Sequence, residues 1–336
     1  MKINITSAAV GLYFLVSCEN VASFSLSNKP IEVSEINRRE SWKQMFQQGN
    51  IVAATVASIV ATSSFSKPSF AVDGSAAGSL ERPVAIIGGG GRTGMAVSET
   101  LAGDIGQMYG VTMTRSGKDP FRVIKLPTAT KERLQPFDGG VDVRNKEEVL
   151  AAFQQTKPSV VVYAASASKQ GGNAFDVDDK GVGNVAEACK EVGAKLVLIS
   201  ALALDRPDSK SFQITNTIGG YLDKIMDAKF NGENKVRSIM GNDYIIIRPG
   251  FLLSGKSKSG ANDIELNQGD TIGGGLSRDE LAGVVVGAIK NAKYGLTVEA
   301  YRKSTATKLQ PTFAIPSGKE LYASSYEGLF VNAKVD

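Results

Sequence analysis

The stretch PVAIIGGGGRTG, residues 83–94, passes from an apolar, β-branched run into a cluster of four glycines. The residues that follow, Met95–Ala102, have the composition of a helix. A strand, a tight turn and a helix in this order are the first unit of a dinucleotide-binding α/β fold. The sequence therefore predicts a Rossmann-like, doubly wound, mostly parallel sheet. We expect a single domain whose small C-terminal portion, residues 250–336, lies on the substrate side.

Three of the glycines have separate expected tasks. Gly88 lets the chain turn off the strand end, and Gly91 lacks the Cβ atom that would block a pyrophosphate. Gly94 lets the helix pack closely on the sheet. The helix N-terminus would then offer free N–H groups and a positive dipole end to the phosphates. The alternative is a glycine-rich turn without a ligand.

The spacing of these glycines is G-x-x-G-x-x-G, with Arg92 and Thr93 between the last two. This loop resembles the G-A-T-G-R-T-G loop of atypical short-chain dehydrogenase/reductases, in the NmrA-like NAD(P)-binding branch. Gly89 and Gly90 replace an Ala-Thr pair, which removes a hydroxyl group and makes the loop more flexible. The resemblance implies that the cofactor is held by Gly88, Gly91, Arg92, Thr93 and Gly94.

Arg115 decides the expected cofactor. The stretch Gly110–Ser116 has the pattern of a second strand, and Arg115 stands near its end. A carboxylate at this place holds the ribose 2′-hydroxyl of NAD, whereas an arginine suits the 2′-phosphate of NADP. The sequence therefore predicts NADP. The alternative is a solvated arginine at a strand end.

Two further segments resemble cofactor-contacting parts of the family. The stretch Val141–Arg144 resembles a G-D-V-x-D element, so Asp142 would touch the adenine. It could equally be the N-terminal cap of the next helix. The apolar run Pro158–Ser166 has the pattern of a strand buried on both faces. In relatives the end of this run, here Ala164, Ala165 and Ser166, lies against the cofactor ribose.

The stretch from Asp178 to Ser200 predicts an amphipathic helix over 178–190, a stop at Gly193 and another buried strand. Cys189 is expected to be a small core residue of that helix. The chain contains no histidine, which excludes Ser-His-Asp catalysis and histidine-ligated metals. We therefore expect no metal site.

The candidate catalytic residues depart from the standard pattern of the family. A short-chain enzyme uses a tyrosine and a lysine four residues later, but Ile225 stands four residues before Lys229. Tyr221 and Lys224 are three residues apart and would share one face of a helix. The resemblance leaves these candidates: Lys229, Tyr221, Lys224 and Ser200.

A late match supports the same resemblance. The stretch Lys229–Gly250 follows the family's K-x-x-x-E…Y-T-x-(I/V)-R-P-G pattern and includes Arg248. Arg248 is expected to be a structural, loop-ordering residue rather than a catalyst. Ser277 in the following I-S-R-x-D-V-A-like element is expected to cap a helix.

The first 71 residues have the pattern of targeting signals. Residues 1–23 read as a signal peptide, and Phe24 after Val-Ala-Ser resembles the Ala-Phe motif of presequences for the complex plastids of algae. Arg38 and Arg39, an uncharged segment and Ala71 resemble a twin-arginine signal within a transit peptide over 24–71. These signals favour the thylakoid lumen over the stroma as the location of the mature protein. The alternatives are an ordinary secretory signal, a retained anchor or a stromal transit peptide.

The remainder, 72–336, is nearly balanced in charge and gives no reason to expect nucleic-acid binding. It has no stretch suited to span a membrane after processing. The expected function is an NADP-binding oxidoreductase acting on a small carbonyl or isoprenoid-type substrate in the plastid. The alternative is a catalytically silent NADP sensor, or an assembly factor whose further partner is a photosynthetic thylakoid protein complex.

Overall fold

The computed structural model describes residues 77–255, 260–309 and 321–336, so the targeting signals predicted over 1–71 lie outside the described residues. Seven α-helices occur in these ranges: α1 (Arg92–Ala102), α2 (Thr128–Arg133), α3 (Lys146–Thr156), α4 (Val182–Val192), α5 (Lys210–Asn216), α6 (Ile225–Met240) and α7 (Arg278–Asn291). A π-helical turn, Phe175–Gly181, leads directly into α4.

The same ranges contain thirteen strands. They are β1 (Val84–Ile87), β2 (Gly110–Met113), β3 (Leu134–Pro136), β4 (Val160–Tyr163), β5 (Lys195–Ile199), β6 (Tyr244–Pro249), β7 (Phe251–Leu253), β8 (Ile264–Asn267), β9 (Ile272–Gly273), β10 (Gly275–Ser277), β11 (Leu296–Arg302), β12 (Thr307–Lys308) and β13 (Leu321–Tyr322).

Nine of the strands form one sheet in the order β13-β8-β11-β6-β5-β4-β1-β2-β3. The seven strands from β3 to β11 in this order are parallel. Strand β8 pairs antiparallel with both β11 and β13. The order 3-2-1-4-5-6 is that of doubly wound dinucleotide-binding folds, in which ligands bind outside the carboxyl ends of the strands, where the order reverses. The predicted fold class is confirmed, and the reversal lies between β1 and β4.

Helices cover both faces of this sheet, which explains why its central strands are apolar throughout. Val84 and Ile86 of β1 pack with α1 and α7 in one core. Ala85 and Ile87 point to the other face and pack with α3, α4 and α6. Full burial of each such branched side chain stabilises the fold by about 1.5–3 kcal/mol.

The C-terminal portion extends the sheet and supplies a helix to the first core. Beyond residue 250 the chain adds β8, β11 and β13 to one edge and forms two small two-stranded sheets, β7–β10 and β9–β12. Helix α7 begins with a capping box. Ser277 Oγ accepts from the Glu280 N–H, and the Glu280 carboxylate accepts from the Ser277 N–H. The predicted cap at Ser277 is confirmed.

The helix predicted over 178–190 is present, with residues 178–181 in the π-helical turn and the rest in α4. Helix α4 ends at Gly193, whose φ of 68° is the left-handed conformation that glycine adopts at low cost. Cys189 is fully buried in the second core, and this burial raises the pKa of its thiol. Within the described ranges, no helix is both long and apolar enough to cross a membrane.

Candidate functional site

The glycine loop connects β1 to α1 at the point where the strand order reverses. Gly88 has a φ of +77°, and a Cβ atom on it would lie 2.7 Å from the backbone nitrogen of Ala165. A Cβ atom on Gly94 would lie 2.2 Å from the carbonyl oxygen of Gly88. Both glycines are therefore required by close backbone approach. The loop brings Gly88 together with Ala164 and Ala165 at the end of β4.

Helix α1 begins at Arg92, three residues earlier than Met95, where its helical composition becomes evident. Its N-cap residue is Gly91, which offers no side-chain cap for the first N–H groups. An uncapped helix N-terminus that faces the carboxyl edge of a parallel sheet is suited to bind phosphate. Arg92 and Thr93 form the first turn of the helix, Arg92 being exposed and Thr93 half-buried.

Arg115 lies two residues beyond the end of β2 and is exposed. Its guanidinium group donates to the carbonyl oxygen of Gln170, in the loop that follows β4. The side chain therefore extends across the carboxyl edge of the sheet from β2 toward β4. This places a positive charge on the side of the glycine loop where the second strand of a dinucleotide fold contacts the ribose.

Asp142 does not cap the following helix. Asn145 is the N-cap of α3, and its side chain accepts from the N–H groups of Glu147 and Glu148. Asp142 instead accepts three hydrogen bonds from the guanidinium group of Arg144. The hydrogen bond from Arg144 lowers the pKa of the Asp142 carboxyl group. The helix-cap interpretation is therefore wrong, because the asparagine three residues later satisfies the helix terminus.

A narrow pocket at the carboxyl end of β5 brings together two of the candidate catalytic residues, Ser200 and Lys229. The Ser200 side chain is buried, and its Oγ atom has no hydrogen-bond partner. A buried hydroxyl without a partner is uncommon. The pocket has no free volume for a water molecule, so a ligand group would reach Ser200 only after the surrounding side chains move. The pocket is lined by Tyr163, Asp178, Val182, Leu198, Ile199, Ser200 and Lys229.

Asp178 organises this pocket, although its sequence context did not point to a functional residue. Its carboxylate accepts from Lys229 Nζ at 2.7 Å and from Ser166 Oγ at 2.9 Å. It also accepts from the backbone N–H of Ala167 at 2.8 Å. Asp178 thus joins α6 to the end of β4. The residue lies in the π-helical turn before α4, a type of distortion that is frequent at functional sites. The sequence signal for this role was weak, because aspartates are common at the start of a helix, where they complement the positive end of the helix dipole.

Tyr221 and Lys224 do not share a helix face. Tyr221 lies in a short 3₁₀ turn, Gly220–Leu222, and is 39% exposed. Lys224 is the N-cap residue of α6, with a left-handed φ of 54°. The expected helical pairing is wrong because α6 begins only at Ile225. Tyr163, the tyrosine in the Ser200 pocket, donates its hydroxyl to the carbonyl oxygen of Val177.

Arg248 is buried at the end of β6 and holds together segments from four parts of the chain. It donates to Glu233 of α6 and, with two nitrogens, to Asp205 in the loop after β5. Asp270 and Glu299 lie 3.7 and 3.6 Å from the same guanidinium group. This arrangement agrees with the expected loop-ordering role of Arg248, because Asp205 is five residues beyond Ser200.

The carboxyl groups around Arg248 differ in their hydrogen bonds and in their pKa values. The Asp270 side chain accepts from the N–H groups of Ala203 and Asp205, yet burial raises its pKa. Burial and the Asp270 carboxylate raise the pKa of Glu299 from 4.5 to about 8. Glu299 therefore carries a proton at neutral pH in the folded protein.

Gly94→Ala is expected to lower the melting temperature and to abolish dinucleotide binding. Its Cβ atom would overlap the Gly88 carbonyl oxygen, and overpacking of this kind costs about 1–3 kcal/mol. In an unobstructed helix the same change stabilises by about 1 kcal/mol, so the sign of the effect is diagnostic. For the melting temperature alone, the matched control is Gly91→Ala, whose Cβ would lie 3.3 Å from the same oxygen. Equal melting curves for the two variants would contradict the close approach.

Glu299→Gln is expected to raise the free energy of unfolding at pH 8.5 and to change it little at pH 5. Between pH 4.5 and about 8 the folded protein retains a proton at Glu299 that the unfolded chain releases. The stability of the unsubstituted protein therefore falls as the pH rises through this window, and glutamine removes that loss. Urea unfolding at the two pH values measures the difference. The surface control Glu191→Gln should show no such pH-dependent gain.

Comparison with known proteins agrees with this fold. The sequence profile of an NAD(P)H-binding family matches residues 88–292. Three solved structures share the fold. A putative NAD-dependent epimerase/dehydratase from Bacillus halodurans is 18% identical over 66% of this chain and 94% of that chain, with a TM-score of 0.51, and an oxidoreductase from Lactococcus lactis is 18% identical over 66% of this chain and 92% of that chain, with a TM-score of 0.50. A wide-type short-chain dehydrogenase/reductase from Veillonella parvula in complex with NADP is 16% identical over 69% of this chain and 99% of that chain, with a TM-score of 0.52. Among curated proteins there is no significant sequence match. The extent of the profile match shows that the chain belongs to the NAD(P)H-binding family.

Proposed function

We propose that the protein is an NADP-dependent oxidoreductase that acts on a small carbonyl or isoprenoid-type substrate. The observation that carries this proposal is the buried, unpartnered Ser200 hydroxyl in one pocket with the Lys229 ammonium group. This pair lies at the carboxyl end of β5, on the same edge of the sheet as the glycine loop. A hydroxyl and a fixed positive charge are the groups needed to polarise and protonate a carbonyl oxygen.

The residues around the glycine loop fit a dinucleotide. Gly88 and Gly94 leave no side chain over the turn, and the uncapped N-terminus of α1 would receive the pyrophosphate. Arg115 would hold the 2′-phosphate, and the segment 164–166 would lie along the second ribose. A bound nicotinamide supplies or accepts the hydride in this class of reaction.

The side chains of the Ser200 pocket have distinct roles in this proposal. Ser200 Oγ donates a hydrogen bond to the substrate oxygen, since no protein group competes for it. Lys229 stabilises negative charge on that oxygen, and Asp178 holds the lysine in position through an ion pair of 2.7 Å. Ser166 is bound to the same carboxylate, so a change in Asp178 would disturb the cofactor-side loop as well.

The segment between β5 and α6 supports an apolar substrate. Ile214, Ile218 and Tyr221 are 62%, 40% and 39% exposed, so three apolar side chains lie on the surface of one short segment that follows Ser200. Apolar groups exposed together commonly mark a binding surface. An isoprenoid-like enone or ketone would cover such a surface better than a sugar would.

The cofactor choice is tested at Arg115. We expect the purified protein to bind NADPH more tightly than NADH, because only NADPH carries the phosphate that a guanidinium group clamps. Arg115→Glu should remove or reverse this preference, since a carboxylate repels the phosphate. Fluorescence titration of both cofactors measures the ratio. Lys118→Glu, a nearby charge reversal in the same loop, is the control, and equal affinities in the unsubstituted protein would refute NADP selectivity.

The catalytic role is tested at Ser200. On a panel of ketones and enones with NADPH, Ser200→Ala is expected to lower kcat by about 10²-fold or more, the usual contribution of a positioned proton donor. The affinity for NADPH should change little, because the substituted hydroxyl acts on the substrate. Thr217→Ala, an exposed hydroxyl in the neighbouring segment, serves as the control. A Ser200→Ala enzyme with unchanged kcat would show that another group handles the proton.

A catalytically silent NADP sensor, or an assembly factor for a photosynthetic thylakoid complex, is the second candidate. The observation that favours it is the absence of a free tyrosine hydroxyl at the Ser200 pocket: Tyr163 is committed to the Val177 carbonyl oxygen, and Tyr221 is exposed outside the pocket lining. Tight NADPH binding without turnover on any substrate of the panel would favour this alternative.

We further propose that the protein functions in the plastid and reaches the thylakoid lumen. The support is the sequence of residues 1–71, with its Val-Ala-Ser-Phe site at Phe24 and its Arg38-Arg39 pair. A twin-arginine route accepts folded cargo, so a cofactor loaded in the stroma could enter with the protein. The stroma remains the alternative location.

A fluorescent fusion to residues 1–71 tests this location. The unaltered fusion should reach the lumen, whereas Phe24→Ala should stop it before plastid entry. Changing Arg38 and Arg39 together to lysine should hold the cargo in the stroma, because a lysine pair poorly replaces two guanidinium groups. Lumenal arrival of the double-lysine fusion would refute the twin-arginine route.

A further inference from the structure

The segment that follows Ser200 turns sharply as it leaves the sheet. The Leu202 N–H still donates to the carbonyl oxygen of Pro249 at 3.2 Å, so the chain stays beside β6 up to this residue. Ala203 then has a φ of 75°, in the left-handed region, and its side chain is fully buried. Alanine adopts this conformation only with strain, whereas glycine adopts it freely. Strain of this kind persists where the surrounding contacts fix the backbone, and it is frequent at active sites.

One carboxylate from a distant part of the chain fixes this turn. Asp270, in the connection between β8 and β9, is fully buried. Its Oδ1 atom accepts from the Ala203 N–H at 2.6 Å, and its Oδ2 atom accepts from the Asp205 N–H at 2.9 Å. Hydrogen bonds to a carboxylate are stronger than those between neutral groups. The two oxygens therefore hold the backbone on both sides of Leu204.

The backbone of Asp270 is held in its turn by two other side chains. This residue also has a left-handed φ, of 55°, and its N–H donates to Glu299 Oε2 at 3.1 Å. Its carbonyl oxygen accepts from Arg206 Nε at 3.1 Å, and the carbonyl oxygen of Gly269 accepts from Arg206 Nη2 at 2.7 Å. The Arg206 guanidinium group thus reaches back to the turn that carries Asp270. The two turns are therefore hydrogen-bonded to each other in both directions.

We propose that Asp270 is a positioning residue for the reaction at Ser200, and that it acts by holding the strained turn at Ala203. This proposal rests on the function proposed above. Ser200 stands three residues before the turn, and ligands of such folds bind outside the carboxyl ends of the strands. The direction that the chain takes after Ser200 therefore shapes one wall of the substrate site. Without the carboxylate the turn relaxes toward negative φ, and Ser200 Oγ loses its alignment with the substrate oxygen.

Asp270→Asn tests this role with little change in volume. The amide keeps one acceptor oxygen, but its NH₂ group faces one of the two N–H donors. We expect kcat on the panel of ketones and enones to fall at least tenfold, because a misplacement of about 1 Å costs about 10²-fold in rate. The affinity for NADPH should change by less than about twofold, since the glycine loop lies in other segments. Ser209→Ala removes the N-cap of α5 nearby and controls for local destabilisation, so it should retain its kcat.

Two further variants separate positioning from a loss of stability. Glycine adopts the left-handed φ at low cost, so adding Ala203→Gly to Asp270→Asn should restore most of the lost kcat. In the Ser200→Ala background, Asp270→Asn should cost no further kcat, because substitutions that act through one group are not additive. A general loss of stability would lower kcat equally in both backgrounds.

Hydrogen–deuterium exchange reports the turn without turnover. Exchange in the peptide that covers residues 201–206 should rise in Asp270→Asn and stay unchanged in Ser209→Ala. The proposal is overturned by unchanged exchange in Asp270→Asn, by an unchanged kcat in this variant, or by equal losses of kcat with and without Ser200. Turnover that depends on Ser200 but not on Asp270 overturns this proposal alone. Absence of turnover by the unsubstituted protein, or an unchanged kcat in Ser200→Ala, overturns the proposed function as well.

Discussion

The candidate site depends on a close approach of three backbone segments at the carboxyl edge of the sheet. A Cβ atom on Gly88 would overlap the backbone of Ala165, and a Cβ atom on Gly94 would overlap the carbonyl oxygen of Gly88. This contact fixes β1, the start of α1 and the end of β4 relative to one another. It also directs the uncapped N-terminus of α1 toward the sheet edge, where a phosphate can approach without meeting a side chain.

Two charged contacts place the remaining groups around this edge. Asp178 connects Lys229 to the loop that follows β4, and Arg248 connects Asp205, five residues beyond Ser200, to α6. A buried ion pair contributes little net stability, but removing one partner costs about 3–5 kcal/mol. Such pairs therefore hold the two segments that they connect in one relative position. The same guanidinium group lies within 3.7 Å of Asp270 and Glu299, so one set of contacts orders the segment after Ser200 and gathers four carboxyl groups around Arg248.

Sequence patterns predicted the fold well because its strands and helices depend on residues that are close together in the chain. Glycine placement and apolar runs of strand length identified the parallel strands, and Ser277 identified the start of α7. The residues that failed or were missed depend on contacts distant in the chain. Asp178 and Lys229 are 51 residues apart, and no local pattern reveals their ion pair. Of the two interpretations of Asp142, the helix cap failed because Asn145, three residues later, caps the helix. Tyr221 and Lys224 were misplaced because the chain delays the start of α6 until Ile225.

Hydrogen–deuterium exchange with and without NADPH tests the central claim, that the glycine loop is the dinucleotide site. The account predicts slower exchange in peptides that cover residues 88–95 and 164–168, because phosphate and ribose contacts protect these backbone amides. Peptides that cover residues 267–270 and 297–299, near Arg248, should exchange as before. Protection confined to these two segments, or no protection of the glycine loop at saturating NADPH, would contradict the account.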